Sequence, residues 1–343
     1  MQTVYKKETV SIVIAAYNNP AYTRKTLKSI VEQQYRPLEI IISDDNSPTS
    51  LEPLATEFDV FQNNQFKIRY FRQPSNLGVC DNFTFVVNQA TGKYLIPMPH
   101  DNWFTDTNFI SDAVEIMEKN PACHLCVANS VYENTNKEML KLPESLNAKD
   151  SWVVLEGDAF IRLWLKGGMG WTQAYMLDND VVRALGAFEE PYCVSESLAK
   201  QLNIAADIGF GFIYVLSGVG SVALSGKTVC KIGTPENSYS RSDAKWRKTR
   251  SKVKFVNIYN IYQANLEGQH AQAVKKAAKK QALNYIDHIL DFRIMRYYNY
   301  SMGIIFLMCF ALLRRPWFLL RPLLKSAAYR IMGSPPKSKL RKY

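Results

Sequence analysis

Val10-Ser-Ile-Val-Ile-Ala-Ala-Tyr17, followed by Asn18-Asn-Pro20 and then by Leu27, Ile30 and Val31 at helical spacing, is the stretch that decides the fold. A short β-branched run bounded by turn residues reads as a buried strand, and apolar positions three and four apart read as one face of a helix. Pro37-Leu-Glu-Ile-Ile-Ile-Ser43 is a second such strand, and it runs straight into Asp44-Asp45-Asn46-Ser47-Pro48. Strand, helix and strand in close order make a β-α-β unit with carboxylates after its second strand.

The alternation continues outward from there. Residues 51–63 read as a helix, Phe66–Phe71 as a third strand, Pro74-Ser-Asn-Leu-Gly78 as a turn and 80–91 as a helix. A fourth strand comes next in Lys93-Tyr-Leu-Ile-Pro-Met-Pro-His-Asp-Asn-Trp103, ending in the polar residues His100, Asp101 and Asn102. Ligands of open α/β sheets sit outside the carboxyl ends of the strands. The ends at Tyr17-Asn18, Asp44-Asp45 and His100-Asp101-Asn102 would therefore line one pocket, where carboxylates reach a cation or phosphate. The competing reading of Asp101-Asn102 is a plain turn, which these residue types readily make. No G-x-G-x-x-G follows the first strand and no Walker A loop occurs, which argues against dinucleotide dehydrogenases and P-loop NTPases.

The formal charge of +11 is unevenly distributed. Residues 1–240 carry 20 Lys+Arg against 27 Asp+Glu, and residues 241–343 carry 22 against 4. Such a split points to an anionic surface met by the tail, either membrane headgroups or a polyanion. The N-terminal residues lack an apolar signal-peptide core, and the six cysteines have no regular spacing, so free thiols in a reducing cytoplasm are expected. Cys123-His-Leu-Cys126 has redox or zinc-knuckle spacing but no second pair to go with it, so core packing is the favoured reading.

Five elements, in order, resemble the family 2 glycosyltransferases of GT-A fold: the strand Val10–Tyr17 with Asn18, Ser29-Ile-Val-Glu-Gln-Gln34, Leu38–Ser47, Asn76-Leu-Gly78 and Ala90-Thr-Gly-Lys-Tyr-Leu95. The resemblance is dense over 8–110, looser over 150–242 and absent from the tail. It implies a mixed, mostly parallel Rossmann-like α/β sheet flanked by helices, with a basic helical region after it. The catalytic domain would span 1–242, with a nucleotide-sugar half to about 105 and an acceptor half over 106–242, and the tail would be 243–343. It also implies roles. Asp45 corresponds to the aspartate that binds a uracil-type base, Ala15 and Tyr17 to residues lining the nucleoside pocket, and Asp101 to the metal-binding aspartate that holds Mn²⁺ or Mg²⁺.

The departures are as informative as the matches. Where the family carries an acidic pair or triplet this chain reads Pro99-His100-Asp101-Asn102, leaving one carboxylate. His100 is open between a metal ligand, a hydrogen-bond donor to phosphate and a turn residue. Trp171 is a candidate acceptor contact by ring stacking, with core packing of Trp171 and Tyr175 the competing reading. An inverting transfer needs a carboxylate to take the acceptor's proton. The corresponding stretch, Tyr192–Leu198, offers Glu196, although strict register falls on Ser195; Glu189 and Glu190 are alternates. Arg241, in the stretch Pro235–Ser242, is a candidate for the donor diphosphate.

Trp152–Lys166 has helical spacing, Asp180–Phe188 resembles a helix and turn, and 213–216 and 222–224 read as strands. Long helices are expected over Trp246–Glu267 and Ala271–Tyr300. Met302–Leu313 is apolar for 12 residues before Arg314-Arg315, short of the roughly 20 that a spanning helix needs. A tail lying on the cytoplasmic face of an anionic membrane fits this, the alternative being a helical subdomain or oligomer contact. Together these features lead us to expect an inverting transferase that is cytoplasmic and peripheral on the inner face of the plasma membrane. Its donor would be a nucleotide-diphosphate sugar, UDP favoured, and its acceptor a lipid-linked saccharide of surface-polysaccharide or O-antigen assembly. The rivals are a non-catalytic nucleotide- or sugar-binding protein on the same scaffold and a nucleic-acid binder acting through the tail; no recognition motif supports the latter. Oligomeric state, sugar and linkage are left open.

Overall fold

The computed structural model describes residues 8–59, 66–135, 138–140, 142–157, 159–160, 174–184, 220–235, 272 and 276. The chain divides into two compact units, 1–279 and 280–343, and the described residues all lie in the first.

Strand β1 (Val10–Ala16) is buried at every position, as a β-branched run covered on both faces should be. Its neighbours are β2 (Leu38–Asp44) and β4 (Tyr94–Pro97), both parallel to it. β3 (Phe66–Arg72) pairs parallel with β2 at the sheet edge, where Phe66 and Ile68 face the core and Lys67 faces solvent. Helices α1 (Pro20–Val31), α2 (Glu52–Asp59) and α3 (Val79–Asn88) make the crossovers. Pro20 opens α1 where a missing N–H costs nothing, and Asn18 and Asn19 before it take left-handed φ of 59° and 55°.

Beyond β4 the sheet turns mixed. After β5 (Asn102–Phe104) and α4 (Phe109–Lys119) come β6 (Cys123–Tyr132), β7 (Trp152–Glu156), β8 (Ala174–Asp178), α5 (Asn179–Ala184) and β9 (Ser221–Ile232). The strand order is β3-β2-β1-β4-β8-β6-β9-β5, with β7 also on β9. β8 runs antiparallel to β4 and β6, and β5 and β7 antiparallel to β9. β6 pairs parallel with β9, so that among the described residues four pairings are parallel and four antiparallel: the mixed sheet flanked by helices is as expected, without the expected parallel majority of pairings.

Two elements differ from expectation. Trp152–Glu156 is a strand rather than the start of a helix: it pairs with Ser221–Ser225, a partner no local periodicity discloses. Asn102 is the first residue of β5, paired with Ile232, rather than a free strand-end turn. Cys123 and Cys126 are both core residues, with thiols directed at the carbonyls of Leu125 and Ala113. Tyr175 is also buried, on β8.

Candidate functional site

Because β2, β1 and β4 are parallel and adjacent, their carboxyl ends share one edge of the sheet. At the end of β1, Ala15 is buried while Tyr17 is 45% exposed. The backbone N–H of Asn18 donates to Ser47 Oγ at 2.8 Å, tying this end to the loop after β2.

The two aspartates that end β2 are used differently. Asp44 is fully buried and its carboxylate accepts from the backbone N–H groups of Ser47 and Leu51, the Tyr70 hydroxyl and the Arg72 guanidinium. Burial alone would raise its carboxyl. The hydrogen bonds, led by those from Ser47, outweigh burial and hold it below the usual range. Asp44 therefore organises the loop. Asp45 continues the edge: its N–H donates to Ala16 O at 2.8 Å. Its carboxylate accepts the backbone N–H groups of Leu77 at 2.6 Å and Gly78 at 3.0 Å. Gly78 has φ of 86°, which its missing side chain permits.

After β4 the chain is clamped on both sides. Thr26 Oγ1 on α1 lies 2.9 Å from His100 O and 2.6 Å from Asn102 O. From β9's far end the N–H of Gly233 reaches Asp101 O at 2.9 Å and Asn102 Oδ1 at 3.3 Å. A Cβ at Gly233 would stand 2.0 Å from Asp101 O, so only glycine allows this approach. The Asn102 side chain is thus buried and spent on the scaffold.

The His100 side chain differs: its Nε2 is buried and has no hydrogen-bond partner among the described residues. Burial raises the Asp101 carboxyl above its usual range, and the nearby His100 ring and Asp101's own backbone N–H pull it back in part. Alongside, Tyr22 OH donates to Glu133 Oε2 at 2.8 Å, Lys25 Nζ meets Glu133 Oε1 at 2.9 Å, and the same ammonium sits 4.1 Å from the Trp103 ring centre. No cluster of three or more His, Cys, Asp or Glu suited to a metal occurs among the described residues.

The fold thus brings Ala15, Tyr17, Asp45, His100 and Asp101 to one edge. Glu196, Trp171 and Arg241 lie outside the described residues, as do Ser195, Glu189 and Glu190. Thr26 and Gly233 escaped sequence reasoning. Thr26 looks like any helix threonine, and Gly233 has no signal beyond its place just before Pro235–Ser242.

Residues 11–167 match the family model described as Glycosyl transferase family 2. They are a family 2 glycosyltransferase domain. An uncharacterised protein of Mycobacterium tuberculosis is 30% identical to the chain over 132 residues, 38% of each protein. The chain thus matches well under half the length of such curated relatives. Among solved structures, TarS residues 1–349 from S. aureus in complex with UDP-GlcNAc superposes with a TM-score of 0.58 at 13% identity, covering 83% of this chain and 73% of that one. The mannosyltransferase PcManGT from Pyrobaculum calidifontis, in complex with GDP-Man and Mn²⁺, gives 0.50 at 13% identity over 95% and 86%. At that identity the likeness is one of fold, and the glycosyltransferase domain has the sheet of both.

Proposed function

We propose that the protein is an inverting glycosyltransferase that moves a sugar from a nucleotide-diphosphate donor, UDP favoured, to a hydroxyl of a lipid-linked saccharide. The observation that carries this reading is the pairing, on one sheet edge of a family 2 domain, of an exposed Tyr17 and a fixed Asp45 with an Asp101 whose backbone is held by the Gly233 N–H. Tyr17 supplies a face for the base. Asp45, fixed by the Leu77-Gly78 turn, supplies a carboxylate, the acceptor type that an imide N–H requires.

The residues fit a divalent cation shared with the diphosphate. Asp101 offers a hard oxygen and His100 an unpartnered nitrogen, so the donor's own oxygens and water would complete the coordination. Such a cation, when bound, offsets negative charge on the departing diphosphate. Glu196 is the group we assign to take the acceptor's proton, and Arg241 to pair with phosphate. TarS with UDP-GlcNAc and PcManGT with GDP-Man and Mn²⁺ support the donor class on the fold that this chain shares. The charge of residues 241–343, 22 Lys+Arg against 4 Asp+Glu, supports a membrane-held acceptor and a peripheral place on the inner face.

The test is incubation of the full chain with labelled UDP-sugars, Mn²⁺ and membrane lipid extract. Label should enter the lipid fraction, and Asp101→Ala should abolish this. Absence of both transfer and Asp101-dependent UDP binding would overturn the reading. UDP binding without transfer or donor hydrolysis would leave a binding protein in its place.

A further inference from the structure

In this chain Asp101 stands between His100 and Asn102. Asn102 takes no part in ligation: its side chain is 1% exposed and its oxygen accepts the Gly233 N–H. His100 is the opposite case. Its carbonyl lies 2.9 Å from Thr26 Oγ1, which is nearer still to Asn102 O at 2.6 Å, while Nε2 is shut off from water without a partner among the described residues. A buried polar atom left unpaired is a standing penalty that a ligand would relieve. His100 and Asp101 are consecutive on a backbone whose carbonyls meet Thr26 Oγ1 on one side and the Gly233 N–H on the other, so a nitrogen and an oxygen donor follow one another at the end of β4.

Resting on the donor reading above, we propose that His100 Nε2 is a direct ligand of the donor-bound cation beside Asp101, which makes this a mixed nitrogen and oxygen site that selects Mn²⁺ over Mg²⁺. The neutral imidazole donates the Nε2 lone pair to the cation in place of a water and keeps its proton on Nδ1. Imidazole favours transition metals, whereas Mg²⁺ prefers oxygen ligands in a near-octahedral set. A glycosyltransferase site with carboxylates alone would discriminate less.

The experiment uses the full chain, UDP, Mn²⁺ and Mg²⁺ at about pH 8, where an ordinary imidazole is neutral. Calorimetry with UDP present should show that His100→Ala weakens Mn²⁺ binding about tenfold or more while Mg²⁺ changes by less than about threefold. His100→Asp should reverse the preference toward Mg²⁺. Pulsed electron paramagnetic resonance of the Mn²⁺ complex, with ¹⁵N-histidine incorporated, should show a directly bound nitrogen in the parent protein and none in His100→Ala. The chain has four histidines, so the variant identifies the source. A complex that binds UDP and Mn²⁺ without nitrogen coupling overturns this proposal alone and makes His100 a phosphate donor or a turn residue. Absence of UDP binding in the parent protein overturns the donor reading and this proposal together. Since the His100 side chain makes no hydrogen bond through Nε2, its replacement should leave the melting temperature within a few degrees, which a thermal scan of each variant checks.

Discussion

The N–H of Gly233 donates to the carbonyl oxygen of Asp101 at 2.9 Å, and that same oxygen would lie 2.0 Å from a Cβ on Gly233. A residue at the end of β9 thus sets the position of the acidic residue that follows β4. Gly233→Ala should push the two backbones apart, with overpacking costing about 1–3 kcal/mol. The expected result is a lower melting temperature together with weaker UDP binding in Mn²⁺, read by thermal shift and calorimetry. Unchanged values for both would mean that the 233–235 segment adjusts freely and does not position Asp101.

Asp45 makes a sharper case, because both of its oxygens receive a backbone N–H from the Leu77-Gly78 turn. Asp45→Asn keeps one acceptor and turns an amide N–H₂ toward another donor. An unmade buried bond costs about 1–3 kcal/mol. Stability should fall by that order, and UDP affinity should fall at least about tenfold, since the base loses its acceptor as well. If the variant loses stability but binds UDP as tightly as the parent protein, Asp45 serves the turn alone.

Much of this arrangement was legible in the sequence. The β-branched runs that become β1 and β2 are buried on both faces, so their apolar character survives any choice of partner, and the carboxylates after them could only fall at a strand end. What the sequence hid is non-local. The segment Trp152–Glu156 has helical apolar spacing, but its conformation is decided by Ser221–Ser225, far along the chain. Asn102 resembles a member of an acidic motif until β9 pairs with it. Thr26 and Gly233 act through hydroxyl and amide groups that every protein has in abundance, so their residue types carry no signal. His100 stayed open because three roles suit a histidine: metal ligand, hydrogen-bond donor to phosphate and turn residue.

Stability should also depend on acid in a way the buried carboxylates define. Glu39, 4% exposed within β2, accepts from Ser11 Oγ, the Thr91 N–H and hydroxyl, and the Arg69 guanidinium. Burial would raise its carboxyl, but those bonds outweigh burial and hold it below the ordinary value of 4.5. A depressed carboxyl adds stability above the unfolded-state value and loses it as pH falls through the folded one. Glu39→Gln should therefore melt well below the parent protein at neutral pH, with the gap closing as pH drops below about 4.5. A gap independent of pH would show that the ionised form contributes nothing.

Restoring the acidic pattern provides the last contrast, because the positions on either side of Asp101 should answer oppositely. Asn102→Asp places a carboxylate where the side chain is 1% exposed and held by the Gly233 N–H. Burying a charge there without a cationic partner among the described contacts costs several kcal/mol or forces the group to stay protonated. The variant should melt lower and bind Mn²⁺ no better than the parent protein. His100→Asp instead replaces a ring whose Nε2 has no partner, so the fold should tolerate it while the cation preference moves toward Mg²⁺. Thermal scans paired with Mn²⁺ and Mg²⁺ titrations in UDP read both variants. A gain in metal affinity from Asn102→Asp would mean that the side chain at 102 leaves β9 when the donor binds, and that the clamp from Gly233 is the part of the site that opens.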